Sequence, residues 1–219
     1  MQERQEKLLK IIVKEYIGTA EPVSSGLLVE KFRLPYSSAT VRNEMSRLEE
    51  DGYIHQPHTS AGRVPTEKAY EFYIRSLKPK KIIADFSAHK DSEESLKQAA
   101  KSLAEKSSLA VFWAIHKNNL YYTGISNLFG QPEFKRYELA IDVSKVIDQL
   151  EDIINDVFKD INYEPQILLG KNNPFGSVFG TVAVKYKGSD GDGMLGIIGP
   201  VRMDYEKCLS LVNHIISKF

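Results

Sequence analysis

Between Ser37 and Thr66 the chain reads SSATVRNEMSRLEEDGYIHQPHTSAGRVPT, and its polar side chains fall into two groups suited to touching a nucleic acid. At about 100° per residue, Val41, Met45 and Leu48 stack on one side of a helix and predict a buried face. The far side carries Ala39, Asn43, Ser46 and Glu50, flanked by Thr40, Arg42 and Arg47. Small residues let a helix lie close in a groove, where Arg pairs bidentately with guanine, Asn with adenine, and longer side chains reach phosphates. Gly52 predicts the helix end, since glycine enters the left-handed conformation without penalty. From Gly52 through Thr66 there is no acidic residue. His58, Thr59, Ser60 and Arg63 therefore make a candidate wing, with Arg63 following Gly62 at the expected turn.

An isolated amphipathic helix of this kind is most often an ordinary surface helix, so its neighbours decide. Upstream, Ser24 to Phe32 predicts a short helix that begins on Ser24 and Ser25, and Arg33–Tyr36 separates it from Ser37 by a tight turn. Two helices across such a turn are the helix-turn-helix arrangement. Before them, Leu8, Ile11, Ile12, Tyr16 and Ile17 recur at helical spacing between Gln5 and Ile17. Three helices and a hairpin predict a winged helix-turn-helix. Its candidate DNA-contacting set is Ser24, Ser25, Ser37, Ser38, Thr40, Arg42, Asn43, Arg47, His58, Thr59, Ser60, Arg63 and Lys68. Within it Arg42 and Asn43 are the expected base readers, with Ser38, Thr40 and Arg47 assisting.

The segments EPVSS (21–25), SSATVRNEMSRLEEDGYI (37–54), HTSAGRVPT (58–66) and AYEFYI (69–74) resemble the heat-inducible transcription repressors of the HrcA family. So do GISNLFGQPEF (124–134) and GIIGPVRMDYEKCLSLVNHI (196–215). The likeness is dense over the first 75 or so residues and patchy afterwards. It implies a repressor that binds an inverted-repeat operator upstream of chaperone genes as a dimer and is modulated by a GroEL-type chaperonin. Family members are usually longer, with a dimerising insertion within a GAF-like domain. Here only His116–Asn119 separate the expected strand Leu109–Ile115 from LYYTGISNLFGQPEF, so much of that middle section is missing. Dimerisation is then expected through the remaining α/β unit, with the helix Ser144–Phe158 as part of the face.

The expected fold class is α+β: a winged helix at 1–78, a linker or connecting helix at 79–108, and a reduced GAF-like α/β domain at 109–219. The linker or connecting-helix reading rests on the Lys78-Pro79-Lys80-Lys81 break and on the Ser- and Lys-rich run from Ser87 to Ser108, in which Leu96, Ala99, Ala100 and Leu103 recur at helical spacing. Beyond it, Ser177–Tyr186 and Met194–Ile198 predict two strands across the turn Lys187–Gly193, and a helix starting at Asp204 closes the chain. Residues 1–78 hold 12 Lys and Arg against 11 Asp and Glu, within a chain of net charge zero. Nonspecific nucleic-acid binders are far more basic, so placed rather than abundant charge points to sequence-specific binding.

Other chemistries fail on spacing. The five histidines show no metal-ligand pattern, and Asp190-Gly-Asp192-Gly lacks the remaining ligands of a calcium loop. Gly196 and Gly199 precede no phosphate-cradling helix. The single cysteine, Cys208, reads as a buried structural thiol. No enzyme, cofactor or metal is expected. The charged start MQERQEKLLK and the lack of any apolar run near the ~20 residues of a membrane span predict a cytoplasmic protein without membrane association. The alternative function is a ligand-sensing regulator whose GAF-like domain binds a small effector. A deep polar-lined pocket favours that reading, and a collapsed core with an apolar outer face favours pairing.

Overall fold

The first helix, α1 (Glu3–Thr19), buries Leu8, Leu9, Ile12 and Val13. The expected face included Ile11, Tyr16 and Ile17 instead, which are half-buried. In a near-continuous apolar run, the packing partners choose which stripe turns inward. Ser24 caps α2 (Ser25–Phe32) by accepting the Leu27 N–H, and Ser37 caps α3 (Ser38–Glu50) by accepting the Thr40 N–H, satisfying donors the helix itself leaves open. Val41, Met45 and Leu48 of α3 are buried, joined by Glu44. Glu44 is paired there with Arg4 of α1. Gly52 takes φ +76° after α3, and the Tyr53 N–H closes back on Leu48 O. A hairpin follows, β1 (Ile54–His55) against β2 (Val64–Pro65), and α4 (Glu67–Arg75) ends this unit.

The structure is a computed structural model describing residues 1–59, 61–78, 80, 86, 89, 92–116, 119–189 and 191–219. It divides into two units, Met1–Leu77 and Lys78–Phe219. Three helices followed by a hairpin give the first unit the element order of a winged helix-turn-helix.

The second unit opens with α5 (Glu93–Ser107), a stretch expected to be a connector. It packs instead on the sheet, burying Leu96, Ala99, Ala100, Leu103 and Ala104. Its alanines bury little area each but admit close approach, which a polar average conceals. The strands β3 (Ala110–His116), β4 (Asn119–Thr123), β5 (Gln166–Leu169), β6 (Phe179–Gly188) and β7 (Gly191–Pro200) form one antiparallel sheet in the order β4-β3-β7-β6-β5. Alternate residues of β3 serve opposite faces, as strand geometry requires. Ala110, Phe112 and Ala114 join a core with Phe134, Val143, Leu150, Ile154, Phe175 and Phe179. Over the other face lie α5 and α9 (Tyr205–Ile216). This is a mixed helix-and-sheet unit built on one five-stranded sheet.

The helix expected at Ser144–Phe158 is two helices, α7 (Tyr137–Asp148) and α8 (Leu150–Val157), after a short α6 (Ile125–Phe129). Gln149, at φ −103° and ψ 8°, breaks them apart, and the break lets Val143, Leu150 and Ile154 all reach the core. The β6–β7 pairing runs on to Gly188 opposite Gly191, so the turn is shorter than the Lys187–Gly193 loop expected. Asp190 and Lys81 lie outside the described residues. Lys80 has Glu206 at 3.3 Å.

Gly193, Gly196 and Gly199 recur along β7 beneath Tyr186, Phe112 and Leu109, whose side chains occupy the space a Cβ would need. Packing of these side chains on the strand thus explains the glycines that phosphate binding does not. Cys208 of α9 is 1% exposed, and burial pushes its thiol up to about 12. The thiolate is the reactive form, so Cys208 is expected to resist alkylation near pH 8 in the native protein and to react after denaturation. Rapid native labelling, counted by mass spectrometry, would mean that α9 opens readily. Among the described residues, no helix is long and apolar enough to cross a membrane.

Candidate nucleic-acid interface

A cleft of about 380 Å³ separates the start of α2, one side of α3 and the hairpin; Ser24, Ser25, Arg42, Gln56, Thr59 and Arg63 are among its lining residues. Five of these six belong to the set expected from sequence. Ser25 and Ser38 join the two helix starts through their hydroxyls at 3.0 Å, which fixes the spacing of α2 and α3. Ser37 Oγ lies 3.0 Å from Thr40 Oγ1. Thr40 itself faces the other way, into a groove shared with Tyr36, Glu44 and α1.

The cations differ in how they are held. Arg42 and Asn43 are exposed on α3, and among the described residues neither side chain has a hydrogen-bond or ion-pair partner within the chain. Both are open to a ligand. Arg47 is exposed, with Glu44 at 3.8 Å. Lys68 is occupied: its Nζ donates to Asp51 O at 2.7 Å and lies 4.4 Å from the centre of the Tyr53 ring. It caps the end of α3 and stands apart from the cleft.

Arg63 departs from expectation. It is not at the turn but at the foot of β2, where its backbone pairs with Val23. The Val23 N–H donates to Arg63 O at 2.9 Å, and the Arg63 N–H to Val23 O at 2.8 Å. Its side chain donates through Nε to Glu49 Oε2 at 2.9 Å and is 17% exposed. The outer part of the hairpin is formed by Pro57, His58 and Thr59, all exposed, with the Ala61 N–H returning to His58 O; Ser60 lies outside the described residues.

Gly62 explains the misplacement. A Cβ there would stand 2.5 Å from the Val23 carbonyl carbon and oxygen, so this glycine serves close backbone approach rather than a turn. Val23, Glu49, Gln56 and Gly62 were all missed as parts of this site. Glu49 reads from sequence as one more acid at a helix end, and nothing in local periodicity marks Val23 as a bridge partner of the hairpin. Among the described residues, no group of three or more His, Cys, Asp or Glu is arranged to hold a metal ion.

The family model described as HrcA protein C terminal domain matches residues 38–209, most of the chain. The chain belongs to the HrcA family. A heat-inducible transcription repressor HrcA of Desulfitobacterium hafniense is 54% identical over 85 residues, covering 39% of this chain and 25% of that protein. The HrcA of Chloroflexus aurantiacus is 52% identical over 75 residues, 34% of this chain and 20% of the relative. The match thus spans a quarter or less of these HrcA proteins. A crystal structure of a hypothetical protein superposes with a TM-score of 0.85 at 18% identity, covering 100% of this chain and 97% of that one. At that identity the likeness speaks for the fold alone.

Proposed function

We propose that this HrcA-family chain is a sequence-specific DNA-binding repressor of heat-shock genes, acting without enzymatic chemistry in the cytoplasm. The observation that carries the reading is the pair Arg42 and Asn43, exposed on α3 and without a side-chain partner among the described residues, with Arg42 lining the cleft. A side chain held by no intramolecular bond breaks none when it meets a base edge, and gives up only its water and its rotamer freedom. The site set is accordingly Ser24, Ser25, Ser37, Ser38, Arg42, Asn43 and Arg47 on the helices and His58 and Thr59 on the hairpin. Electrophoretic shift of an inverted-repeat operator duplex against scrambled duplex, at fixed salt, tests it. Equal affinity for both duplexes would reduce the protein to a nonspecific binder.

A dimer fits the same reading, because two-fold symmetry presents one recognition helix to each half-site. Tyr137 and Ile141, one turn apart on α7, are 76% and 37% exposed and offer an apolar face for pairing. A pocket between the sheet and the helices α6, α7 and α8 has a volume of about 10 Å³, room for at most one water. That supports pairing over the effector-sensing alternative. Sedimentation at micromolar concentration is expected to give a dimer. A monomer that binds the full operator one-to-one would sink the paired arrangement. Modulation by a GroEL-type chaperonin is carried by the family resemblance.

A further inference from the structure

The Glu49 carboxylate on the last turn of α3 uses both oxygens on the hairpin. Oε2 accepts from Arg63 Nε and Oε1 accepts the Gln56 backbone N–H, each at 2.9 Å. The Gln56 side-chain amide then donates to Thr59 O at 2.9 Å and Ala61 O at 2.8 Å. One carboxylate therefore grips both legs of the hairpin, and Gln56 braces the loop between them. The Arg63 and Glu49 side chains are 17% and 33% exposed, so salt screens this pair less than an open surface pair. Arg63 is also held through its backbone to Val23, against which Gly62 leaves no room for a Cβ.

We infer that Glu49 and Arg63 form a latch that sets the hairpin tip at a fixed height beside the Asn43 face of α3. Arg63 is a positioning residue, and contact with DNA falls to the outer residues His58 and Thr59 and to Arg42. The inference rests on the DNA-binding reading and deepens it. A guanidinium already neutralised by a carboxylate displaces no counterion from DNA, so its removal leaves the salt dependence alone.

Four variants of the whole chain provide the test: Arg63→Ala, Arg63→Glu, Glu49→Arg and the double reversal Arg63→Glu/Glu49→Arg, whose net charge equals the wild type's. Each single reversal is expected to weaken operator binding about tenfold. The double reversal restores the ion pair but not the acceptor for the Gln56 N–H, so it is expected to bind about threefold tighter than either single reversal, and Arg63→Ala to keep the wild-type log–log salt slope. A double reversal no tighter than Arg63→Glu, together with a slope smaller by about 0.9 in Arg63→Ala, would assign Arg63 to a phosphate and overturn the latch. Amide hydrogen exchange provides a readout without DNA. Exchange at Val23 and Arg63 should quicken about tenfold in each single reversal and slow again in the double. Exchange indifferent to the reversals overturns the latch whatever the DNA result. Quickened and rescued exchange in a chain that binds no duplex upholds the latch and removes the DNA-binding reading instead.

Discussion

Asn43→Ala is expected to narrow the affinity gap between operator and scrambled duplex by about 1–3 kcal/mol, the worth of one bidentate base contact. That is roughly a 5- to 150-fold loss of discrimination. The substitution is informative because the fold does not depend on it. Asn43 is exposed and, among the described residues, has no side-chain partner within the chain. Alanine is the better helix former by some tenths of a kcal/mol, so α3 should hold at least as well. Binding to scrambled duplex should scarcely change, since phosphate contacts carry that affinity. Equal weakening on both duplexes would remove Asn43 from base reading.

The largest effect on stability is expected from Gly196→Val. Gly196 of β7 pairs with Phe112 of β3, and the Phe112 ring lies over it where a Cβ would stand. Phe112 is 1% exposed and packs 5.4 Å from the Phe175 ring. A valine must therefore drive a fully buried ring out of the middle of the core. Overpacking usually costs about 1–3 kcal/mol, and displacement of a buried Phe falls at or beyond the upper end. At about 2–4 °C per kcal/mol for a protein of this size, the melting temperature should drop by roughly 10 °C. Gly130→Ala is the control: φ is −71° there and the nearest neighbours of a Cβ stand at 3.4 Å, so the midpoint should stay put. A Gly196→Val protein that melts with wild type would show that the ring has another place to go.

Legibility from sequence followed the reach of the interactions. The buried stripe of α3 could be read because Val41, Met45 and Leu48 are separated by polar residues, leaving one possible inward face. In α1 the run from Leu8 to Val13 offers two, and only the helices packed against it choose. The Glu, Lys, Ser and Gln residues of α5 gave it a polar average, although Leu96, Ala99, Ala100, Leu103 and Ala104 bury its inner face. Arg42 and Asn43 could be placed from helical geometry alone. The Arg63–Glu49 pair spans 14 residues, and the Val23–Arg63 bridge brings the segment before α2 onto the hairpin. No local pattern encodes either. A basic residue beside a glycine was consequently read as a turn tip when it is an anchored foot.

Trp113 is the chain's single tryptophan. It is fully buried in β3, where its indole N–H donates to Tyr186 Oη at 2.9 Å. Its fluorescence is therefore an optical signal belonging to the second unit alone, while far-ultraviolet circular dichroism sums the helices of both. Burial pushes the Tyr186 hydroxyl up to about 12, so this neighbour stays a phenol, and not a quenching phenolate, through the range in which exposed tyrosines ionise. Recording both signals through one thermal ramp gives each unit its own melting curve without labels or truncation. Coincident curves would mean the two units unfold as one; separated curves would assign the earlier loss of order to one unit by colour.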